Sequence, residues 1–399
     1  MKQETIDINQ IIPNQASEGT WIGRCMVPAA LAYNGIAGPH VVKVANGKVY
    51  DLSAHFNSTS ELINTDNVAE MMIQLDALPV IGELKDILKN SLFSNRDNSL
   101  PCFIAPNDLQ SVKACGVTFV KSLLERVIEE KARGNAKKAD QVRQTIYETL
   151  GNDLSKTVPG SPETEILKKR FQEEGIWSQY LEVGIGKDAE VFTKSQPMSA
   201  VGFGAQVGVL KDSVWNNPEP EIVLAISSKG KIVGATLGND VNLRDYEGRS
   251  ALLLGEAKDQ NGSCSIGPLF RLFDKTFSID DVKNCEVELT ITGEDGFSSS
   301  GANKMNEISR SPENLTAQVI GKNHQYPDGL VLFLGTMFAP TENRDADGKG
   351  FTHKIGDQVI IASEKLGQLI NWVNTCDQIP RWEFGIHSFI DFLIKRNKL

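Results

Sequence analysis

Asn217-Pro218-Glu219-Pro220-Glu221, followed by the apolar run Ile222-Val223-Leu224-Ala225-Ile226, is the stretch on which the reading of this chain turns. Proline fixes its own φ and pushes the residue before it into extended backbone, so two prolines interleaved with two glutamates exclude a helix. Glu219 and Glu221 therefore stand at i and i+2 of an extended segment, with their carboxylates on one face. Ser228-Lys229-Gly230 supplies a turn, and Lys231-Ile232-Val233 begins a return strand that runs on to Gly238-Asn239-Asp240. A two-residue turn at Lys229-Gly230 sets Asp240 opposite Glu219. A three-residue turn would move Asp240 to the other face, unless a bulge restored the parity. Three carboxylates converging on one patch repel one another unless a cation lies between them. All-oxygen ligands suit Mg²⁺, Mn²⁺ or Ca²⁺ and not zinc. The competing reading is an edge hairpin carrying solvated acids.

Composition narrows the function classes. At 399 residues, 40% hydrophobic and 23% charged, the chain is globular and long enough for two domains. A net charge of −10, with no basic stripe of interleaved aromatics, argues against nucleic acid as a partner. Residues 1–7 lack the apolar core of a signal peptide. The longest apolar run, 330–339, is broken by Gly335 and Thr336 and is too short for a membrane span. The six cysteines (Cys25, Cys102, Cys115, Cys264, Cys285, Cys376) form no C-x-x-C pair, the pattern of reduced thiols in a cytoplasmic protein.

Residues 1–95 read as an N-terminal domain of short strands and loops with a helix pair. It contains a hairpin of 41–44 and 48–50 around an Asn46-Gly47 turn, and helical periodicity over 58–88. The composition of 90–101 is that of a linker. In the remainder, 101–399, Val120, Leu123, Leu124, Val127 and Ile128 form one stripe of a helix over 117–133. An insert at about 130–175, poor in large apolar residues, reads as a helical surface cover. Beyond it strands dominate, at 190–192, 222–226, 232–235, 286–292, 317–319, 330–334 and 358–361. Helices are expected at 245–257, 303–309 and 387–395. The pattern is α+β with mixed or antiparallel sheets, without the alternation of a doubly wound fold.

Gly202-Phe203-Gly204-Ala205-Gln206-Val207-Gly208 is not a dinucleotide loop, because its third glycine comes one residue late and no βαβ unit follows. Asp345-Ala346-Asp347-Gly348 opens like a calcium loop, but Gly356 stands where that loop needs its glutamate. None of the five histidines pairs with another at metal-ligand spacing, so His40, His324 and His353 read as structural or surface residues in loops. Arg244, after the return strand, is placed by helical spacing to point back at the strand's end. It can bind a substrate carboxylate or pair with Asp240 or Asp245. Lys258, in Glu256-Ala257-Lys258-Asp259, is either a solvated lysine or, beside a divalent cation, a group with a lowered pKa suited to proton transfer.

Together, Asn217-Pro218-Glu219-Pro220-Glu221, Gly238-Asn239-Asp240-Val241 with Arg244, Lys258, Ile266-Gly267-Pro268 and Gly335-Thr336 resemble the fumarylacetoacetate hydrolase superfamily over 101–399. The resemblance implies a mixed β-roll. It also implies a divalent metal, Mg²⁺ or Mn²⁺, held by Glu219, Glu221 and Asp240, with Lys258 beside it and Arg244 and Thr336 on the substrate. Hydrolases of the superfamily carry Gly-x-Asn-Tyr-x-x-His-x-x-Glu, whose His-Glu pair activates water. The corresponding stretch here, Gly116-Val117-Thr118-Phe119-Val120-Lys121-Ser122-Leu123-Leu124-Glu125, has Ser122 in the histidine's place and keeps Glu125. Without the imidazole a water nucleophile is poorly served. The helical insert, Trp177-Ser178-Gln179-Tyr180-Leu181-Glu182-Val183-Gly184 and Asn323-His324-Gln325-Tyr326-Pro327-Asp328-Gly329 are similar instead to the 2-keto-3-deoxy-pentonate dehydratases. That likeness implies dehydration of a small 2-oxo sugar acid of D-xylonate or D-arabinonate type to 2,5-dioxopentanoate. Glu125 or Lys258 would serve as base and acid, in a homo-oligomer, dimer or tetramer. The alternative is a Mg²⁺-dependent acylpyruvate or fumarylacetoacetate-type C–C hydrolase that uses Glu125 without histidine.

Overall fold

A computed structural model describes residues 6–32, 34–124, 127, 157–337, 340, 342–345 and 350–397. Glu125 and the first part of the insert lie outside these residues. The hairpin forms as strands Pro220–Ile226 and Ile232–Asp240, and every residue of the first is buried. Pairing runs from Pro220↔Asn239 and Glu221↔Gly238 to Ala225↔Gly234, then shifts by one at Ile226↔Ile232. The turn causes the shift. Ser227 N–H donates to Lys231 O at 2.9 Å and Gly230 N–H to Ser227 O at 2.9 Å, which closes a loop of Ser228-Lys229-Gly230. The turn is thus one residue longer than the two-residue form, and a bulge at Val233 restores the parity. Asp240 N–H accordingly donates to Glu219 O at 3.0 Å.

That hairpin is the centre of an 11-stranded mixed sheet. The order is Val80–Glu83, Lys48–Asp51, Gly38–Ala45, Thr20–Val27, Cys264–Leu272, Ile232–Asp240, Pro220–Ile226, Leu330–Phe333, Ser111–Gly116 and Glu190–Ser195, with Cys102–Ile104 also on Thr20–Val27. Leu330–Phe333 and Ser111–Gly116 run parallel. Trp21 pairs with Arg271, so strands on both sides of residue 95 share one sheet. A 5-stranded sheet (Ser298–Lys304, Glu286–Thr292, Gln358–Ser363, Gly367–Thr375, Gln206–Val209) packs on one face of the hairpin. Strand alternation divides the core accordingly. Ile222, Leu224 and Leu237 share one buried cluster with Leu289, Ile361 and Leu369 of the second sheet. Val223, Ala225 and Phe333 face the other way, onto Leu62, Ile63 and Met72 of helices Thr59–Asn64 and Val68–Gln74. The architecture is α+β with mixed sheets.

Several elements differ from the sequence expectation. Residues 317–319 end a helix, Pro312–Val319, because Ser311 Oγ caps Asn314 N–H at 3.2 Å and Pro312 takes the first helical position. Asn303 lies in the strand Ser298–Lys304, and only a single 3₁₀ turn, Met305–Glu307, follows it. The periodicity over 58–88 divides into two helices, the edge strand Val80–Glu83 and the start of helix Leu84–Ser91. The supposed linker is held by Asn90, whose Nδ2 donates to Asp97 O at 3.0 Å and Pro101 O at 3.1 Å. His40 stands on the strand Gly38–Ala45, not in a loop, with Nδ1 2.8 Å from Asp51 Oδ2. In the described part of the insert, helix Pro162–Glu173 buries Phe171 with Leu123, Leu124 and Val127 in a separate apolar cluster. The six cysteines form no disulfide, and among the described residues no helix is long and apolar enough to cross a membrane.

The approach to Gln358 is tied down by Arg344, which bonds both oxygens of Asp357 at 2.6 and 2.5 Å and Asp295 Oδ1 at 3.0 Å. His353 Nδ1 lies 3.0 Å from Asp357 Oδ2, and His353 N–H donates to Asn216 Oδ1 at 3.1 Å, so this knot backs the strand that leads into Glu219. Burial raises the Asp357 carboxyl, but Arg344 and His353 outweigh it and hold the group below its ordinary value. A carboxyl depressed in the folded state stabilises fully above the ordinary carboxylate range and loses that contribution as pH falls through the folded value. Asp357→Asn is therefore expected to flatten the acid limb of a Tm-versus-pH profile and to lower the neutral-pH Tm by at least about 3 °C. Scanning calorimetry from pH 3 to 7 checks this, and an unchanged acid slope would contradict it.

Candidate metal centre

The hairpin register carries on into a short ribbon, where Asn217 pairs with Asn242 and Asn216 with Leu243. Along one face the first strand thus presents Asn217, Glu219 and Glu221, and the second Asn242, Asp240 and Gly238. One carboxylate oxygen from each of Glu219, Glu221 and Asp240 lies within 4.8 Å of the others, and all three residues are buried. Gly238 fills the remaining corner because a Cβ there would come within 2.4 Å of Phe333 and Val223.

Each carboxylate is gripped by donors. Glu219 Oε1 accepts from Asn242 Nδ2 at 3.1 Å, and Oε2 from Lys258 Nζ at 2.7 Å. Asp240 Oδ1 accepts from Lys258 Nζ at 3.1 Å and pairs with Lys194 Nζ at 2.8 Å. Lys194 Nζ also donates to Val241 O at 3.0 Å and Lys258 O at 2.8 Å, which uses all its hydrogens. Glu221 Oε2 accepts Gly335 N–H at 2.6 Å. Gly335 has φ 88°, and a Cβ there would lie 2.1 Å from Thr118 Oγ1, so only glycine lets this main chain meet Glu221.

Burial raises the Glu221 carboxyl well above its ordinary value, and the charges of Asp240 and Glu219 push it further. Burial raises Glu219 as well, with Lys258 opposing and Asp240 assisting. For Lys258, burial works against the charge, but Asp240, Glu219 and Glu247 outweigh it and hold the ammonium above its ordinary value. Three converging carboxylate oxygens, each oriented by outer hydrogen bonds and with no sulfur or nitrogen among them, fit a hard divalent cation such as Mg²⁺.

The remaining sequence candidates are placed differently. Lys258 ends the helix Leu254–Lys258 and enters the centre, as described. The Arg244 guanidinium lies over the Trp215 ring at 4.9 Å, while Asp245 accepts from Ser213 Oγ at 2.9 Å and Val214 N–H at 2.8 Å. Thr336 Oγ1 accepts from Asn303 Nδ2 at 2.8 Å. Ser122 turns its hydroxyl onto its own helix, donating to Phe119 O at 2.9 Å. Glu125 lies outside the described residues. Sequence reasoning passed over Lys194, Asn242 and Asn303. Lys194 did carry a signal, since it stands two residues after Phe192 on the same face of a strand. Asn303 carried none, because it comes from the second sheet to bond Pro220 O, Thr336 Oγ1 and Met337 N–H together.

The fumarylacetoacetate hydrolase C-terminal family matches residues 186–374. The 2-dehydro-3-deoxy-D-arabinonate dehydratase of Saccharolobus solfataricus is 31% identical over 235 residues, 55% of this chain and 74% of that protein. A probable 2-keto-3-deoxyxylonate dehydratase of Haloferax volcanii is 32% identical over 206 residues, 52% of this chain and 67% of that protein. Among solved structures, a 2-keto-3-deoxy-D-arabinonate dehydratase complexed with magnesium and 2,5-dioxopentanoate superposes with a TM-score of 0.60 at 20% identity, over 89% of this chain and 99% of that one. With a relative 31% identical and matched over 74% of its length, and the family's domain covering the carboxylate-bearing hairpin, the chain belongs to the fumarylacetoacetate hydrolase family.

Proposed function

We propose that this enzyme removes water from a 2-keto-3-deoxy-pentonate of D-arabinonate or D-xylonate type and yields 2,5-dioxopentanoate. Glu219, Glu221 and Asp240 would hold Mg²⁺, or Mn²⁺ in its place. The observation that carries the reading is Lys258 Nζ within 2.7 and 3.1 Å of two of those three carboxylates. The dehydratase names of the two curated relatives support it. A divalent cation bound there would supply Lewis acidity toward the C2 carbonyl of a 2-oxo acid, easing loss of the C3 proton.

The chain's own groups supply the rest. Lys258 Nζ, beside two of the carboxylates, would be the acid that gives its proton to the C4 hydroxyl, which departs as water. That assignment leaves Glu125 as the base for the C3 proton, and tautomerisation through C5 completes the aldehyde. Arg244 and Thr336 would orient the substrate carboxylate. Ser122 would bring no imidazole to activate water, which disfavours C–C hydrolysis. The family likeness further suggests a homo-oligomer, dimer or tetramer, in the cytoplasm, and residues 1–95, which carry none of the site's chemistry, would serve packing or oligomerisation.

The discriminating experiment offers the purified enzyme, with Mg²⁺, a 2-keto-3-deoxy-pentonate and an acylpyruvate in parallel, and identifies products by NMR. The expected result is 2,5-dioxopentanoate from the first and no turnover of the second. Cleavage of the acylpyruvate with the sugar acid untouched would overturn the dehydratase reading in favour of the hydrolase.

A further inference from the structure

The face that carries the three carboxylates does not end at Glu219. Its next pair along the ribbon is Asn217↔Asn242, directly opposed and so on one side of the strands. Both side chains are buried, Asn217 at 1% and Asn242 at 0% exposure. Their amide nitrogens are engaged, which fixes which way each amide points. Asn242 Nδ2 donates to Glu219 Oε1 at 3.1 Å and Glu247 Oε2 at 2.8 Å, and Asn217 Nδ2 donates to Pro218 O at 3.0 Å. Neither carbonyl oxygen, Asn217 Oδ1 nor Asn242 Oδ1, has a hydrogen-bond partner among the described residues. Two buried acceptors with no donor call for O–H or N–H donors, which a bound water or a ligand can supply.

We infer that Asn217 and Asn242 form a hydroxyl-recognition subsite, whose two carbonyl oxygens accept from neighbouring hydroxyls of the substrate. The inference rests on the dehydratase reading and gives it a determinant for the far end of the molecule. The pair stands two residues along the strand from the Glu219–Asp240 pair, about 7 Å. A 2-oxo acid whose keto-acid end met a cation held by the three carboxylates would therefore lay its C4 and C5 hydroxyls toward the asparagines. A pair of acceptors suits a vicinal diol, in which each hydroxyl gives one hydrogen. The hydrogen bond from the C4 oxygen would also strengthen as Lys258 protonates it, because an oxygen taking up a proton becomes a stronger donor. Asn217 and Asn242 would thus select polyhydroxy acids over chains of the same length that carry fewer hydroxyls.

The test compares kcat/KM for a 2-keto-3-deoxy-pentonate and for 4-hydroxy-2-oxopentanoate, which lacks the C5 hydroxyl, in wild type, Asn217→Ala and Asn217→Ser. Calorimetric Mg²⁺ titration of each protein runs alongside. Wild type is expected to favour the hydroxylated acid by at least about tenfold, and Asn217→Ala to lose most of that preference. Its Mg²⁺ affinity should be unchanged, since Asn217 touches none of the three carboxylates. A wild-type preference near one would overturn the inference, even if neither variant folded. Equal losses on both acids in the variants would overturn it too. Wild type inert toward both acids would overturn the dehydratase reading and this inference together, whereas turnover with an unmoved ratio sinks the subsite alone.

Discussion

Lys258→Met is expected to lower kcat on a 2-keto-3-deoxy-pentonate by about 10²–10⁴-fold while leaving the fold and divalent-metal binding in place. Methionine preserves the unbranched stem against the Phe192 ring, which lies 5.6 Å from Nζ, and removes only the ammonium. The proton that reaches the C4 hydroxyl then has no buried source. Glu219 Oε2 loses its 2.7 Å partner, while Asp240 Oδ1 keeps Lys194 at 2.8 Å. With one positive charge gone from among three carboxylates, the metal-free protein should be less stable. Mg²⁺ should then raise its Tm more than it raises that of wild type. Steady-state kinetics with thermal melts checks both halves. A kcat within a few-fold of wild type would remove Lys258 from the chemistry.

Glu221→Ala is the second large effect. It deletes one of three convergent carboxylates and leaves the Gly335 N–H, now bonded at 2.6 Å, buried without an acceptor. Leaving a buried donor unpaired costs about 1–3 kcal/mol, so Tm should fall. Divalent-metal affinity should drop by more than about 100-fold, since loss of an outer partner alone typically costs 10–100-fold. Turnover should vanish with it. Glu221→Gln separates the two consequences, because its amide oxygen can still accept from Gly335 but carries no charge. That variant should melt near wild type and yet fail to hold metal. Metal content and turnover both intact in Glu221→Ala would dismantle the assignment of this centre.

The local half of the site was legible in the sequence because strands obey a two-residue period. The prolines at 218 and 220 forbid a helix, the glutamates share a face, and the return strand brings Asp240 to them. The route to that register was not legible. The turn has three residues, and only the bulge at Val233 keeps Asp240 on the right face. A bulge leaves no mark in local composition. Residues from distant elements were hidden for a different reason. Asn303 reaches the hairpin from the second sheet, through a packing of elements far apart in the chain that no periodicity encodes. The errors at 303–309 and 317–319 arose where short segments fit either period. Ser311-Pro312, a cap followed by a first-turn proline, was the signal that decides for helix. The sheet shared by Thr20–Val27 and Cys264–Leu272 likewise depends on tertiary pairing that composition around residue 95 does not reveal.

The most direct test strips the protein with a chelator and supplies 2-keto-3-deoxy-D-arabinonate, which is the same acid as the 2-keto-3-deoxy derivative of D-xylonate, with and without added Mg²⁺. Formation of 2,5-dioxopentanoate is followed through a coupled semialdehyde dehydrogenase. The stripped protein is expected to give no product and to recover turnover on Mg²⁺ addition. Full turnover without metal, or none with Mg²⁺ or Mn²⁺, would contradict the assignment.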